Sequence, residues 1–197
     1  MLNIAVLISG SGSNLQSIID GCESGYIDGK IKLVISNKEN AYGLQRAKKH
    51  NIDSIFENDE NNIIDLLKKQ KIDLIVLAGY LKIISPLFVE AFRNKIINIH
   101  PSLIPAFCGE GFYGMKVHQA VIDYGVKLSG ATVHFVDEGA DTGPIIIQKC
   151  VEVKNDDTPE SLAKKVLNVE HEILKESVKL YCENKLIVNG RGVIIND

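Results

Sequence analysis

Residues 98–105, Asn-Ile-His-Pro-Ser-Leu-Ile-Pro, hold the side chains best suited to chemistry in this sequence. They close an apolar run at 95–97 that predicts a buried strand, and strand alternation then puts Asn98 and His100 on one face. A carboxamide that donates two hydrogen bonds, beside an imidazole that titrates near neutral pH, can stabilise a developing oxyanion and move a proton. On residue types alone, the alternative is a strand end whose polar groups merely cap the backbone.

A second candidate site is the glycine-serine loop at 9–14, Ser-Gly-Ser-Gly-Ser-Asn. It follows a continuous apolar run at 4–8, typical of a central parallel strand, and precedes apolar residues at helical spacing. A strand, a glycine loop and a helix N-terminus together form a phosphate-binding arrangement. A dinucleotide fingerprint needs a glycine where Leu15 stands and an acidic residue where Ser-Asn-Lys stands at 36–38. The pattern favours a phosphomonoester or phosphosugar over NAD, with a plain tight turn as the alternative.

Strand and helix patterns alternate through the first hundred residues, which indicates right-handed crossovers and a parallel sheet. The predicted strands lie at 4–8, 31–35, 54–56, 73–78 and 95–100, and the predicted helices begin after Asn14 and cover 41–51, 61–69 and 87–92.

The pattern changes after Pro105. The elements predicted there are a loop at 106–114, a helix at 116–124 ended by Gly125, strands at 129–137 and 144–153, a long helix from Thr158, and a terminal hairpin at 186–195. A glycine-bearing connection between the two strands predicts an antiparallel pair. The fold class is therefore α/β and Rossmann-like: a mostly parallel twisted sheet with an added antiparallel strand pair and flanking helices.

Polar residues elsewhere give weaker signals. Asp141 lies on the connection between the two later strands, at one end of the antiparallel pair. Residues 79–84 follow a buried strand, at the sheet edge where ligands bind in open α/β folds. They form either a wall for a flat aromatic ligand or the packing at the next helix start. Glu170 and His171 lie in the middle of the long helix, where a solvated face is the default interpretation.

Composition limits the classes of function. The chain has 197 residues and a formal net charge of -3, which gives no general field for nucleic acid or a membrane surface. Its four cysteines show no metal-ligand or redox spacing, and no signal peptide or membrane-spanning run is recognised. We expect a cytoplasmic protein, a monomer or homodimer, that acts on small molecules and holds no metal. His118 and His134 are secondary candidates, and we expect structural support from His134.

The phosphate loop, the Asn98/His100 pair and Asp141 occur together in the phosphoribosylglycinamide formyltransferases, a folate-dependent family of purine synthesis. This chain closely resembles that family over nearly its whole length. The resemblance rests on four segments: ISGSGSNL at 8–15, VLAGYLKI at 76–83, NIHPSLIP at 98–105 and GATVHFVDEGADTGP at 130–144. It implies one formyltransferase domain over 1–197, with a phosphate-binding half at 1–100 and a folate-binding, catalytic half at 101–197.

The resemblance also implies a role for each matched residue. The catalytic trio would be Asn98, His100 and Asp141. The residues that would bind the phosphoribosylglycinamide substrate are Gly12, Ser13, Asn14 and Glu170. The residues that would frame the folate are Leu81, Lys82, Ile83, Ile84, Asn98, Asp137, Glu138, Gly139, Ala140 and Asp141.

By this resemblance, the formyl group passes directly from 10-formyltetrahydrofolate, the co-substrate, to the amine of 5-phosphoribosylglycinamide. Asn98 and protonated His100 would stabilise the tetrahedral oxyanion. His100, or a water that it orients, would pass a proton toward the leaving folate nitrogen. The carboxylate of Asp141 is expected to raise the pKa of His100.

Two rival functions belong to other classes. A formyltetrahydrofolate deformylase would hydrolyse the same donor, but usually carries an N-terminal regulatory domain, whereas here the catalytic sheet starts at Ile4. A non-catalytic folate- or nucleotide-binding module would not need all three catalytic side chains, and measurable turnover would exclude it. The related methionyl-tRNA formyltransferases should carry an additional basic C-terminal domain.

Overall fold

The computed structural model describes residues 1–196, so the last residue of the predicted domain, Asp197, lies outside the described chain. The strands are β1 (Leu2–Ile8), β2 (Gly29–Ser36), β3 (Asp53–Phe56), β4 (Leu74–Leu77), β5 (Ile96–His100), β6 (Leu128–Phe135), β7 (Ile145–Glu152), β8 (Leu186–Asn189) and β9 (Gly192–Ile195). The helices are α1 (Ser13–Glu23), α2 (Tyr42–Lys49), α3 (Glu60–Lys69), α4 (Pro86–Ala91), α5 (Met115–Tyr124) and α6 (Pro159–Cys182). The strands form one sheet in the order β3-β2-β1-β4-β5-β6-β7-β9-β8.

Strands β1 to β5 form the parallel half of this sheet, as predicted. Residues 4–8 of β1 are all buried. Because side chains alternate along a strand, Ile4 and Val6 join the apolar core on one face while Ala5 and Leu7 join the core on the other. The chain winds outward from β1 to β3 and then returns to β4, on the other side of β1. This reversal opens a crevice at the carboxyl ends of β1 and β4, where open α/β sheets bind ligands.

Helices cover both faces of the sheet. Helices α1 and α6 pack on the face of Ile4 and Val6, while α3 and α4 pack on the opposite face. The predicted cap of the long helix is confirmed, because the hydroxyl of Thr158 accepts from the N–H of Ser161 at 3.2 Å and the hydroxyl of Ser161 accepts from the N–H of Thr158 at 2.9 Å. No helix within residues 1–196 is long and apolar enough to cross a lipid bilayer.

The antiparallel addition is also confirmed. Strand β6 runs antiparallel to β5 and to β7, and its register places His134 opposite Asn98 and Thr132 opposite His100. The terminal hairpin of β8 and β9 forms as predicted and also extends the main sheet through a parallel bridge between Ile145 and Gly192. The β5–β6 register therefore brings residues of two distant segments to the same end of the sheet.

Candidate active site

One cavity of about 450 Å³ lies at the carboxyl ends of the central strands and receives every segment for which the sequence predicted chemistry. Its walls come from the ends of β4 and β5, the loop at 109–114, the connection at 136–141, and the three helices α1, α5 and α6. The candidate residues that line it are Asn14, Leu81, Lys82, Ile83, Ile84, Asn98, His100, Asp137, Glu138, Gly139, Ala140, Asp141 and Glu170. Gly12 and Ser13 do not line the cavity itself but adjoin Asn14 at the start of α1.

The glycine loop leaves the first turn of α1 open to a ligand. Gly12 stands at the N-cap of α1 with a left-handed φ of 72°, and no side chain in the described chain caps this helix. The Cα of Gly43 on α2 lies so close that a Cβ on Gly12 would approach it to 2.7 Å. The uncapped N–H groups of a helix start attract an anion. Glycine is thus required at position 12, because the loop backbone packs closely on α2. This packing places the loop at the open helix start, where an anion can bind.

Glu170 corrects one prediction from the sequence. It is buried rather than on a solvated face, and one of its carboxylate oxygens accepts a 2.7 Å hydrogen bond from the side chain of Asn14. Burial raises the pKa of Glu170, and the bond from Asn14 only partly opposes that effect. The Oδ1 atom of Asn14 is buried and has no hydrogen-bond partner among the described residues. The pair therefore offers a polar acceptor next to the phosphate loop.

Asn98 belongs to a hydrogen-bonded group at the end of β5. Its Nδ2 lies 3.1 Å from Nε2 of His134 and 3.4 Å from Oδ1 of Asp141. Nδ1 of His134 lies 2.8 Å from the carbonyl of Phe135, which can only accept, so the proton of the neutral ring sits on Nδ1. The Nε2 lone pair of His134 is then left to accept from Asn98. His134 thus orients the carboxamide, which is a more direct role than the structural support expected of it.

His100 lies between two acceptors. Its Nε2 is 3.0 Å from the carbonyl of Phe107, and its Nδ1 is 3.4 Å from Oδ2 of Asp141. Burial lowers the pKa of His100 and outweighs the Asp141 carboxylate and the Phe107 carbonyl, which raise it. The expected raised pKa was therefore wrong in its net direction, because the sequence gives no measure of desolvation. The Asp141 carboxylate does raise the pKa of His100, as expected, but by less than burial lowers it.

Asp141 is held in its ionised form at the centre of the site. It adopts a left-handed φ of 57°, and its Oδ2 accepts from the N–H of Gly109 at 2.9 Å. Burial alone would raise the pKa of Asp141, but the imidazoles of His134 and His100 nearby and the Gly109 N–H together hold it below its ordinary value. A carboxylate at this position favours a proton on the His100 imidazole.

The two segments predicted to frame a flat ligand both line the cavity. Their charged side chains bind elsewhere: the Lys82 ammonium donates to the carbonyl of Asn58 at 2.7 Å, and Glu138 accepts from Arg93 at 2.7 Å. The backbone and the apolar side chains of 81–84 and 136–140 are left to form the walls. The wall interpretation of 79–84 is thereby favoured over packing at the start of α4.

The contribution of the 106–114 loop to the site was hardly predictable from its residue types. Phe107 and Gly109 hold His100 and Asp141 through backbone groups, which any residue type can supply. His118, only a secondary candidate, lines the cavity from α5. Burial lowers its pKa, and within the described chain its Nδ1 is buried without a hydrogen-bond partner. In residues 1–196, no group of three or more His, Cys, Asp or Glu is arranged to hold a metal ion.

Comparisons with known proteins agree with this geometry. The family model described as formyl transferase matches residues 2–178. The chain is 42% identical over 200 residues to the chloroplastic phosphoribosylglycinamide formyltransferase of Arabidopsis thaliana, covering 96% of this chain and 68% of that protein. It is 44% identical over 195 residues to the phosphoribosylglycinamide formyltransferase of Haemophilus influenzae, covering 94% and 90%.

A solved structure shows the same architecture. The glycinamide ribonucleotide transformylase 1 of Symbiobacterium toebii superposes with a TM-score of 0.94 at 41% identity, covering 100% of this chain and 95% of that one. The family model, the relatives and this structure all span the segments that build the cavity. The chain belongs to the formyl transferase family.

Proposed function

We propose that this chain transfers the formyl group of 10-formyltetrahydrofolate to the amine of 5-phosphoribosylglycinamide, a step of purine synthesis. The observation that carries the proposal is the meeting of Asn98, His100 and Asp141 in one cavity that also reaches the phosphate loop. A site for the phosphate-bearing substrate and a site for the flat formyl donor thus adjoin the same three polar groups. The products are formylglycinamide ribonucleotide and tetrahydrofolate.

The glycinamide substrate would enter by its phosphate. We assign the phosphate to the open first turn of α1, at Gly12, Ser13 and Asn14. The buried Oδ1 of Asn14 and the carboxyl of Glu170 lie next to it and suit the hydroxyl groups of a ribose. The amine at the other end of this substrate then points toward Asn98 and His100.

The formyl donor would lie with its ring between residues 81–84 and 137–140. Attack of the amine on the formyl carbon forms a tetrahedral intermediate with an anionic oxygen, and Asn98 and the His100 imidazolium can donate to it. The 3.4 Å contact from Asn98 to Asp141 is the longer of its two bonds, so it is the one that the oxyanion would replace.

The proton balance of this reaction closes without an outside acid. The attacking nitrogen loses one proton, and the folate nitrogen gains one when its bond to the formyl carbon breaks. The neutral ring of His100, beside the ionised Asp141, can accept the first proton as the amine attacks. The imidazolium so formed donates to the oxyanion and then delivers the proton to the folate nitrogen, directly or through a water. Four expectations from the sequence stay predictions: the absence of a metal, the oligomeric state, the division at residue 100 and the cytoplasmic location.

Donor turnover tests the proposal. The purified protein would be mixed with 10-formyltetrahydrofolate, with and without 5-phosphoribosylglycinamide, and tetrahydrofolate release followed by absorbance. We expect turnover that requires the glycinamide and that is lost in His100→Ala and Asp141→Asn. Equal turnover without the glycinamide would instead identify a deformylase, and no turnover with intact ligand binding would identify a binding module.

A further inference from the structure

Ser9 stands where the two halves of the ligand crevice separate. It is the first residue after β1, and its N–H donates to the carbonyl of Gly79, just past β4, at 3.1 Å. Beyond this point the chain after β1 forms the phosphate loop, and the chain after β4 forms the wall at 81–84. Ser9, directly after β1, is therefore the last position at which the chain can hold both segments together.

The hydroxyl of Ser9 makes a directed bridge between these segments. It donates to Oδ1 of Asn37, after β2, at 2.7 Å, and it accepts from the N–H of Leu81 at 2.8 Å. The bond to Leu81 spans the crevice at the point where the winding of the sheet reverses. One oxygen atom thus connects the ends of β1, β2 and β4.

The wall at 80–84 has little other support from its backbone. It has no regular secondary structure, and Leu81 is 56% exposed. In the part of the chain that the structure describes, the N–H of Leu81 is the one backbone N–H of residues 80–84 that is hydrogen-bonded. Loss of the Ser9 hydroxyl would therefore leave the Gly79 carbonyl bonded to Ser9 but free the backbone of the wall beyond Gly79 from the strand that carries the phosphate loop.

We propose that Ser9 is a positioning residue that fixes the distance between the phosphate loop and the folate wall. This inference rests on the proposed function, in which the two segments hold the two reactants. An amine and a formyl carbon react only when held about 3 to 3.5 Å apart, and a misplacement of about 1 Å can cost about 100-fold in rate. Ser9 would act on the reaction rate through the separation of the two sites, without touching either reacting atom.

Three variants test this role. Ser9→Ala removes the bridge, and Ser9→Thr restores a hydroxyl. Ser24→Ala is a matched control, because among the described residues the Ser24 hydroxyl bonds only the carbonyl of Gly21 at the end of α1. In Ser9→Ala we expect the affinity for each substrate alone to change less than about threefold, while single-turnover formyl transfer falls about tenfold, the value of one hydrogen bond. Ser9→Thr should recover most of this rate, and Ser24→Ala should match the wild type.

Hydrogen exchange supplies a readout that does not depend on activity. The Leu81 amide should exchange faster in Ser9→Ala than in the wild type or Ser24→Ala, with the core strands unchanged. Transfer by Ser9→Ala at the wild-type rate, or an unchanged Leu81 amide, would overturn the proposal. If the wild type itself shows no formyl transfer, the proposed function fails, yet the exchange experiment still decides whether Ser9 holds the wall.

Discussion

Asn14 and Glu170, 156 positions apart in the chain, are joined by a 2.7 Å hydrogen bond from the Asn14 amide to a carboxylate oxygen of Glu170. This bond connects the first turn of α1 to the middle of α6 at the edge of the candidate active site. It buries a carboxyl group that makes no ion pair within residues 1–196, so ionisation of Glu170 costs free energy in the folded state.

Glu170→Gln is expected to stabilise the free protein relative to the wild type, and more at pH 8 than at pH 4. The folded pKa of Glu170 lies above its ordinary value of about 4.3, so both states are protonated at low pH and the carboxyl then has no effect. As the pH rises, the unfolded carboxyl ionises while the folded one resists, and stability falls by about 1.4 kcal/mol for each pH unit between the two pKa values. Urea unfolding of the variant and the wild type across this pH range measures the difference in their free energies of unfolding.

Glu90→Gln is the control for that experiment, because Glu90 is an exposed glutamate on α4. We expect the difference between Glu90→Gln and the wild type to vary little with pH. A Glu170→Gln difference that is equally flat would show that Glu170 ionises in the folded protein as it does in the unfolded chain.

Gly12→Ala should destabilise the protein by about 2 kcal/mol, whereas Gly10→Ala should cost less than about 0.5 kcal/mol. A Cβ on Gly12 would meet the backbone of Gly43 at 2.7 Å, and the φ of 72° strains any L side chain. A Cβ on Gly10 would meet no atom within 4 Å. Equilibrium unfolding in urea compares the two, and equal losses would contradict the close packing of the phosphate loop on α2.

Asn98→Ala should lower the rate of formyl transfer about 100- to 1,000-fold, the usual effect of removing one oxyanion donor. Single-turnover kinetics at saturating substrates isolates this step from binding. The fold should persist, because the carboxamide of Asn98 is only half-buried. A variant that lost substrate affinity instead, with the single-turnover rate unchanged, would assign Asn98 to binding rather than to the transition state.

Asp141→Asn should lower the pKa of His100 below its value in the wild type, which burial already holds below the ordinary value of about 6.5. The carboxylate 3.4 Å from Nδ1 favours the imidazolium, so its removal favours the neutral ring. Asparagine tolerates the left-handed backbone of residue 141, so the loop should keep its conformation. Proton NMR titration of the His100 ring measures both midpoints.

Asp137→Asn is the matched control, because the Asp137 carboxylate accepts from Gly139 and Thr142 and makes no ion pair with His100 within the described chain. Its His100 midpoint should equal that of the wild type. Asp141→Asn should also reduce formyl transfer by about 100-fold or more, since proton transfer by a positioned group contributes at least that much. A His100 midpoint that did not move in Asp141→Asn would refute their coupling.

The elements themselves were predictable from local sequence. The helix predicted at 116–124 is Met115–Tyr124, and Gly125 ends it in the left-handed conformation that glycine favours. The helix predicted at 41–51 ends earlier, at Lys49, because Asn51 turns to a positive φ of 56°. Such elements follow from hydrophobic periodicity and caps, which are properties of neighbouring residues.

The candidate site was predictable where its residues carry a motif. Asn98 and His100 alternate with apolar residues on a strand, and the glycine loop joins a strand to a helix, so each could be recognised from its own segment. Glu170 could be assigned to the site only by family resemblance, because helical position alone favoured solvent. Gly109 gave no signal, since it contributes only its backbone N–H.

The sequence by itself determined the order of strands and helices and which residue types stand at the strand ends, because these depend on interactions over a few residues. Only the tertiary structure decided which of those residues face one another. The β5–β6 register sets His134 beside Asn98, and the folded loop brings Gly109 to Asp141. The tertiary structure also decided the protonation of His100 and Glu170, because their pKa values depend on burial and on distances to groups far along the chain.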